Sequence, residues 1–354
     1  MRLIHTSDIH LDSPLSAHLA PKEAKERRRE LISSFRAMID EAAATGVRGV
    51  IIAGDLFDSE KVGMRTLDLI MGFIEKARGL NFFYLPGNHE KERLVTSGIS
   101  LPENLKIFGT GWTYYKIGDV TIVGRSEIEK GMFSSLSLSE NDTNILVLHG
   151  VLAERSDSPD KIGVRELSPL PVNYLALGHY HTYSASKISP ICTAVYSGTP
   201  EGRGFDEVGD KGYVIIDTDG DRLTHKFKKR AMRTLFEIKV DISSAKREID
   251  IENLVEGGID GISSESLVRV VLVGDHSPEL RRDVQSVKDR FSHKFFFFEV
   301  KDESKLRISP EEYKNDRSLK GEFIRLVMSK PELTEEEKAS VIECGIAALA
   351  GEEI

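Results

Sequence analysis

Val50-Ile51-Ile52-Ala53-Gly54-Asp55-Leu56-Phe57-Asp58 is the stretch on which the fold of this chain turns. A short run of β-branched apolar residues reads as a buried strand, and the Gly-Asp that stops it sets a carboxylate at the strand's C-terminal end. The same order recurs on either side. Leu3-Ile4 leads to Asp8-Ile9-His10, and Phe82-Phe83-Tyr84-Leu85 to Gly87-Asn88-His89-Glu90. Ile145-Leu146-Val147-Leu148 leads to His149-Gly150, and Tyr174-Leu175-Ala176-Leu177 to Gly178-His179-Tyr180-His181. Between the runs lie amphipathic stretches such as Arg29 to Ala44, where Leu31, Phe35, Met38, Ile39 and Ala42 share one helical face. Strands alternating with helices predict an α/β fold. In such sheets ligands gather beyond the carboxyl ends of the strands, so Asp, His and Asn are delivered repeatedly to a place where a site forms.

The residue types define the chemistry. Imidazole, carboxylate and amide oxygen suit Mn, Fe, Zn or Mg. The motifs contain no Cys, which argues against a structural thiolate zinc site. The set is too large for one tetrahedral ion and suits two ions sharing a bridging carboxylate, with one His left as a proton donor. Two ions roughly 3.5–4 Å apart form a clamp for in-line displacement at phosphorus. The reaction class expected is metal-assisted phosphoester hydrolysis.

The ordered motifs resemble the calcineurin-like metallophosphoesterase superfamily: D-x-H, G-D-x-x-D, G-N-H-E/D, a lone His, then G-H-x-H, over residues 8 to 181. The resemblance implies a four-layer α/β/β/α sandwich. It also implies that one metal takes Asp8, His10, Asp55 and His181, and the other Asp55, Asn88, His149 and His179, with Asp55 as the bridge. His89 matches the family's catalytic His. His5, His18, His225, His276 and His293 match nothing. Asp58 and Asp12 read equally as acceptors that orient a ligand His or as ordinary turn residues.

Thr6-Ser7-Asp8-Ile9-His10-Leu11-Asp12-Ser13-Pro14 and Tyr196-Ser197-Gly198-Thr199-Pro200 resemble more narrowly the SbcD-type branch of double-strand-break repair exonucleases, with a bacterial sub-branch called YhaO nearest. That resemblance implies manganese, DNA degradation from the 3′ end with nicking of single strands, a homodimer, and an SbcC-type coiled-coil ATPase held through C-terminal helices. Two positions depart from the pattern. Glu90 stands where this branch usually has Asp, while protein phosphatases have Glu. Ser59 follows Asp58 where those phosphatases have an Arg that holds phosphate, so the phosphatase reading loses more than it gains.

Pattern divides the chain into residues 1–230; 231–305, a small cap; and 306–354, a helical segment that on pattern alone packs on its own protein. The resemblance implies that 1–230 is a nuclease domain and that 306–354 binds a partner. The first closes with Val195 to Pro200 and Gly212 to Asp217, read as a strand pair. The Gly-rich Glu201 to Glu207 between them either lines the site, with Arg203 reaching a phosphate, or simply connects. The cap reads as β-α-β-α-β, with one helix starting at a Ser277-Pro278 cap signal and a strand through Phe295-Phe296-Phe297-Phe298 that should be central or covered. The last segment reads as two helices, the second opened by a Thr334/Glu337 capping box.

No apolar run reaches the ~20 residues of a membrane span, and Met1-Arg2-Leu3-Ile4 leaves no room for a signal peptide, so a cytoplasmic address is expected. Cys192 and Cys344 match no redox or metal spacing. The net charge of −9 counts against a free-standing DNA binder, because such affinity comes from neutralising phosphates. Arg27-Arg28-Arg29 and Lys226 to Arg230 are local basic clusters, read as a solvated helix face and a linker. A DNA exonuclease borrowing affinity from an ATPase is the favoured reading. The alternatives are a phosphodiesterase or phosphatase on a small nucleotide-like substrate, and a non-catalytic scaffold, which nothing in the ligand set supports.

Overall fold

The computed structural model describes residues 1–15, 19–58, 62–86, 98, 100–156, 158, 160–220, 222–308 and 313–350. Two compact units follow each other along the chain, Met1–Thr234 and Leu235–Ile354.

The first unit carries strands β1 (Arg2–Thr6), β2 (Gly49–Ile52), β3 (Asn81–Tyr84), β4 (Leu105–Ile107), β5 (Thr113–Ile117), β6 (Val120–Gly124), β7 (Thr143–His149), β8 (Val151–Ala153), β9 (Lys161–Gly163), β10 (Tyr174–Gly178), β11 (Ser184–Lys187), β12 (Thr193–Tyr196), β13 (Gly212–Asp219) and β14 (Arg222–Lys229). They form two six-stranded sheets, ordered β14-β13-β1-β2-β3-β4 and β11-β12-β10-β7-β6-β5, with β8 and β9 as a separate pair. The strands that end in the motifs run parallel within each sheet: β1 beside β2, β2 beside β3, and β7 beside β10. Parallel pairing is what gathers their carboxyl ends.

One hydrophobic cluster joins the sheets. Leu3, Ile51, Phe83, Val214 and Ile216 of the first meet Val120, Ile122, Ile145, Val147, Ala176 and Val195 of the second. Alternate residues point the other way, as strand geometry requires. On the second sheet these are Val123, Leu146, Leu148, Leu175 and Leu177, covered by Met132, Phe133, Leu167 and Val172. Those covering residues come from the turn Met132–Ser135, the short helix Val164–Leu167 and neighbouring loops, so the outer layer there is thin. On the first sheet, Ile4, Val50 and Ile52 are buried, as are Leu31, Phe35, Met38, Ile39 and Ala42 of α1 (Pro21–Ala44) and Leu67, Ile70, Met71 and Ile74 of α2 (Met64–Lys76). α1 thus begins earlier than the apolar period alone indicates, with Pro21 in its first turn. This is the layered α/β sandwich that the resemblance implies.

The expected pairing of Val195 to Pro200 with Gly212 to Asp217 is wrong. β12 pairs with β10 and β11, whereas β13 pairs with β1 and β14 in the other sheet. Two neighbouring apolar runs look like a hairpin in sequence, but the Gly-rich stretch between them crosses from one sheet to the other.

The second unit holds β15 (Leu235–Asp241), β16 (Leu267–Val273), β17 (Asp275–His276), β18 (Phe297–Asp302) and β19 (Lys305–Leu306). β15, β16 and β18 form a parallel sheet with β16 in the middle. The four-phenylalanine strand is therefore at an edge of that sheet and not central. Its Phe298 is buried, with Phe295 and Phe291 packed near it. The helix expected from Ser277 begins only at Val284, where Asp283 accepts a hydrogen bond from the Ser286 amide. Helices Leu319–Met328 and Glu335–Ala350 share a small core of Tyr313, Ile324, Val327 and Ile342.

Candidate metal centre

The loops after β1 and β2 are zipped together by backbone bonds: Asp8 donates to Gly54, Ile9 and His10 to Asp55, and Leu11 to Leu56. That pairing forces Asp8, His10 and Asp55 into left-handed backbone angles, with φ of 51°, 50° and 49°. His179, after β10, has φ of 113°. Such angles cost on the order of 1–3 kcal/mol each for side-chain-bearing residues and persist only where surrounding structure imposes them. Their concentration at the motif residues singles out this edge of the sandwich as the candidate site.

Side chains converge there from both sheets. Asp8, His10 and His181 form one potential ligand group, and Asp8, Asp55 and His149 another, with the ligand atoms of each within 4.8 Å of one another. Asp55 Oδ2 lies 3.9 Å from His10 Nε2 and 3.6 Å from His149 Nε2, so it stands between the two groups. His181 Nε2 is 3.7 Å from Asp8 Oδ1. His179 faces His149 edge to face, ring centroids 5.7 Å apart. Asn88, His89 and Glu90 lie outside the described residues, as do Ser59 and His18.

Glycines make the approach possible. A Cβ on Gly54 would fall 2.0 Å from His149 Nδ1, and one on Gly178 would fall 2.0 Å from the Ala53 carbonyl oxygen. The Gly-Asp and Gly-His motifs therefore carry glycine because the ends of β2, β7 and β10 nearly touch. His149 Nδ1 sits 2.9 Å from that same Ala53 oxygen, which fixes its proton there and leaves Nε2 free.

Asp8 is fully buried and held by the His179 amide at 3.1 Å and by the Ser7 hydroxyl. Ser7 in turn meets Ser197 Oγ at 2.7 Å. Around the first group lies a charged network. His10 Nδ1 is 3.1 Å from Asp58 Oδ1, close enough for charge attraction though short of full hydrogen-bond geometry. His181 Nδ1 is 2.6 Å from Glu207 Oε1. Arg203 donates to Asp58 at 2.8 Å and to Glu207 at 2.6 Å. The contact with His10, helped by Arg203, holds the Asp58 carboxyl below its ordinary range. Burial pushes the Glu207 carboxyl up, but bonds from His181 and Arg203 outweigh it and bring it down to about 2. The Glu207 bond pushes His181 up against its burial.

The donor set fits divalent metal. It is all nitrogen and oxygen, two carboxylates approach each other, and His10 Nε2 is buried with no hydrogen-bond partner among the described residues. Asp58 sits beside His10. Asp12 does not join the groups; burial raises its carboxyl, opposed by bonds from Gly63 and Thr66. Of the two readings of Glu201 to Glu207 the structure bears out the one that lines the site, with Arg203 on Asp58 and Glu207. No role for Glu207, Ser7 or Ser197 was assigned from the sequence. The one available signal was that Glu207 closes the Gly-rich loop.

A family model described as calcineurin-like phosphoesterase matches residues 1–183. The chain belongs to that family. Its fold is that of a metal-dependent phosphoesterase, which uses a dimetal centre. The uncharacterized metallophosphoesterase YhaO of Bacillus subtilis is 27% identical over 312 residues, 82% of this chain and 76% of the relative. The DNA double-strand break repair protein Mre11 of Methanosarcina mazei is 28% identical over 295 residues, 79% of this chain but only 46% of the relative. This chain thus spans less than half the length of that relative. A dimetal phosphatase from Danio rerio aligns over 65% of this chain and 96% of its own, with TM-score 0.43 and 12% identity.

Proposed function

We propose that this chain is a manganese-dependent DNA nuclease of a repair complex, acting from the 3′ end as an exonuclease and on single strands as an endonuclease. The observation that carries the reading is Asp55 standing between His10 and His149, within 4 Å of each, in a chain similar to proteins named for DNA double-strand break repair. Asp8, His10, Asp55 and His181 would hold one ion and Asp55, Asn88, His149 and His179 the other, with Asp55 shared. Two bound divalent ions supply charge stabilisation for in-line displacement at phosphorus. The protein's own part is to present neutral Nε2 atoms from oriented histidines, exclude water around the buried Asp8, and protonate the leaving oxygen from His89.

Charge supports a partnership. Arg27 is buried against Glu30 and Glu201, and Lys228 and Arg230 pair with Glu41, so these basic residues are not free for phosphates. Lys226 to Lys229 belong to β14 and form no linker. DNA affinity then comes from bound cations and from a coiled-coil ATPase. In the second unit Leu319, Leu326, Val341 and Leu349 are exposed on the two terminal helices, which favours residues 306–354 as the segment that ATPase grips, with residues 231–305 as the cap. Met64 and Leu69, exposed on α2, are candidate dimer contacts. Among the described residues no helix is long and apolar enough to cross a membrane, and the expected setting is the cytoplasm.

The test is nuclease assay of the chain with manganese on 3′-labelled and 5′-labelled duplex DNA, beside bis-p-nitrophenyl phosphate. Stepwise shortening from the 3′ end, reduced by about 10²–10⁴ in His89→Ala while metal content is retained, supports the reading. Turnover of the small diester with DNA left intact, even when the ATPase partner is added, favours the second reading, a phosphodiesterase on a small nucleotide-like substrate. The net charge of −9 is the observation on that side.

A further inference from the structure

We propose that Arg203 is a positioning residue for one metal and not the other, acting through Asp58 and Glu207. The proposal rests on the two-metal reading of the site and concerns how its first position is held. A histidine binds a metal through a ring nitrogen that carries no proton, and the partner of its second nitrogen decides which nitrogen that is. The two histidines assigned to the first position, His10 and His181, each turn Nδ1 toward a carboxylate, Asp58 at 3.1 Å and Glu207 at 2.6 Å. Each then turns Nε2 toward the ligand cluster, His10 toward Asp55 and His181 toward Asp8.

The two carboxylates come from distant parts of the chain, and one guanidinium holds both. Arg203 Nη1 donates to Asp58 Oδ1 at 2.8 Å, while Nε and Nη2 donate to Glu207 Oε1 at 3.0 and 2.6 Å. The Arg203 amide closes the ring by donating to Glu207 Oε2 at 2.7 Å. Arg203 Nη2 also lies 3.2 Å from His181 Nδ1. A guanidinium can only donate, so it competes with the Nδ1 proton and has to be satisfied by Glu207 instead. Glu207 is nearly fully buried and Arg203 largely so, which keeps water from substituting for either partner. A planar fork that spans two carboxylates is a geometry that lysine cannot reproduce.

The second position is braced differently. His149 Nδ1 is held by the Ala53 backbone oxygen, and no side chain of the clamp reaches it among the described contacts. Loss of the clamp should therefore split the two positions.

The experiment titrates manganese alone into the metal-free full chain, by calorimetry and by electron paramagnetic resonance. The variants are Arg203→Ala, Arg203→Lys and Glu207→Gln, and each is checked by circular dichroism and a melt in EDTA. Glu207→Gln keeps the side-chain volume should Arg203→Ala not fold. The unmodified chain should bind two ions and show a spin-coupled pair. The variants should bind one ion with unchanged affinity and the other about 10–100-fold more weakly. At one equivalent of metal they should give the six-line signal of an isolated ion, and Arg203→Lys should rescue little.

Two tight ions in folded Arg203→Ala, or equal weakening of both positions, overturns the clamp. So does an unmodified chain that binds fewer than two ions. Because no DNA is present, the nuclease reading fails separately: clamp-dependent manganese binding in a chain that leaves DNA intact keeps this proposal and sinks that one.

Discussion

His5 stands three residues before Asp8 and its role differs entirely. It shares strand parity with Leu3, so its ring enters the core between the sheets and meets Tyr174 Oη at 2.9 Å. Full burial pulls its pKa from 6.5 down to about 3. Between those values the unfolded chain binds a proton that the folded chain refuses, so acidification costs stability, by up to roughly 1.4 kcal/mol per pH unit. Urea unfolding at pH 7 and pH 5 should show the unmodified protein losing about 2 kcal/mol more than His5→Leu; equal losses would show that His5 is not held neutral in the core. The sequence did separate these histidines, because His10, His149, His179 and His181 follow apolar runs in motif slots and His5 interrupts one. It could not show what His5 touches, since Tyr174 lies in the other sheet. Glu207 lay in a stretch read as one that could line the site, but its contact with His181 was out of reach for the same reason, since it exists only once that loop crosses between sheets.

At the scale of elements, local chemistry was read well where it is local. The Thr334 amide donates to Glu337 Oε2 at 2.8 Å and the Glu337 amide to Thr334 Oγ1 at 3.2 Å, a reciprocal capping box at the expected place. Thr334→Ala should cost about 1 kcal/mol, read as an earlier unfolding transition of the unit Leu235–Ile354 with the other unit unmoved. An unchanged transition would mean the box holds nothing. The Ser277-Pro278 signal failed because a competing cap, Asp283, lies six residues on and has the apolar Val287 and Phe291 behind it. The phenylalanine run reads as central or covered because four consecutive Phe do not suit an exposed edge, and of these two options the edge position of β18 leaves the covered one. In the fold alternate residues suffice: Phe298 points into the core, and Phe297 is only partly covered.

For the whole molecule, the sheets carry most of the sequence's legible information, since each motif is the end of a strand and parallel neighbours align those ends without further instruction. What period and composition could not give is the closeness of the two sheets, which rests on Gly54 and Gly178. Two carboxylates meeting there repel one another until a cation intervenes, so metal should act as a folding ligand for Met1–Thr234. Manganese at a hundredfold excess over its dissociation constant should stabilise this unit by ~2.7 kcal/mol over the EDTA-treated protein, with a melting point that climbs with metal concentration. A melting point indifferent to metal would rule out a preformed ion site.

The register of β1 has a consequence for the order of events during synthesis. β1 is flanked by β2 on one side and by β13 on the other, with Arg2 opposite Asp217, so its sheet is not closed until more than two hundred residues have been made. His149, His179 and His181 ride on the second sheet, and the loop bearing Arg203 and Glu207 is made just before β13. At roughly 5–20 residues per second, a ribosome needs on the order of ten seconds or more to pass from Asp8 to Glu207. Throughout that interval the early candidate ligands Asp8, His10 and Asp55 exist without His149 and His181. A growing chain therefore carries no complete candidate site, which is assembled only when the strands of the second sheet and the loop before β13 have been made. The topology is, in effect, a timer.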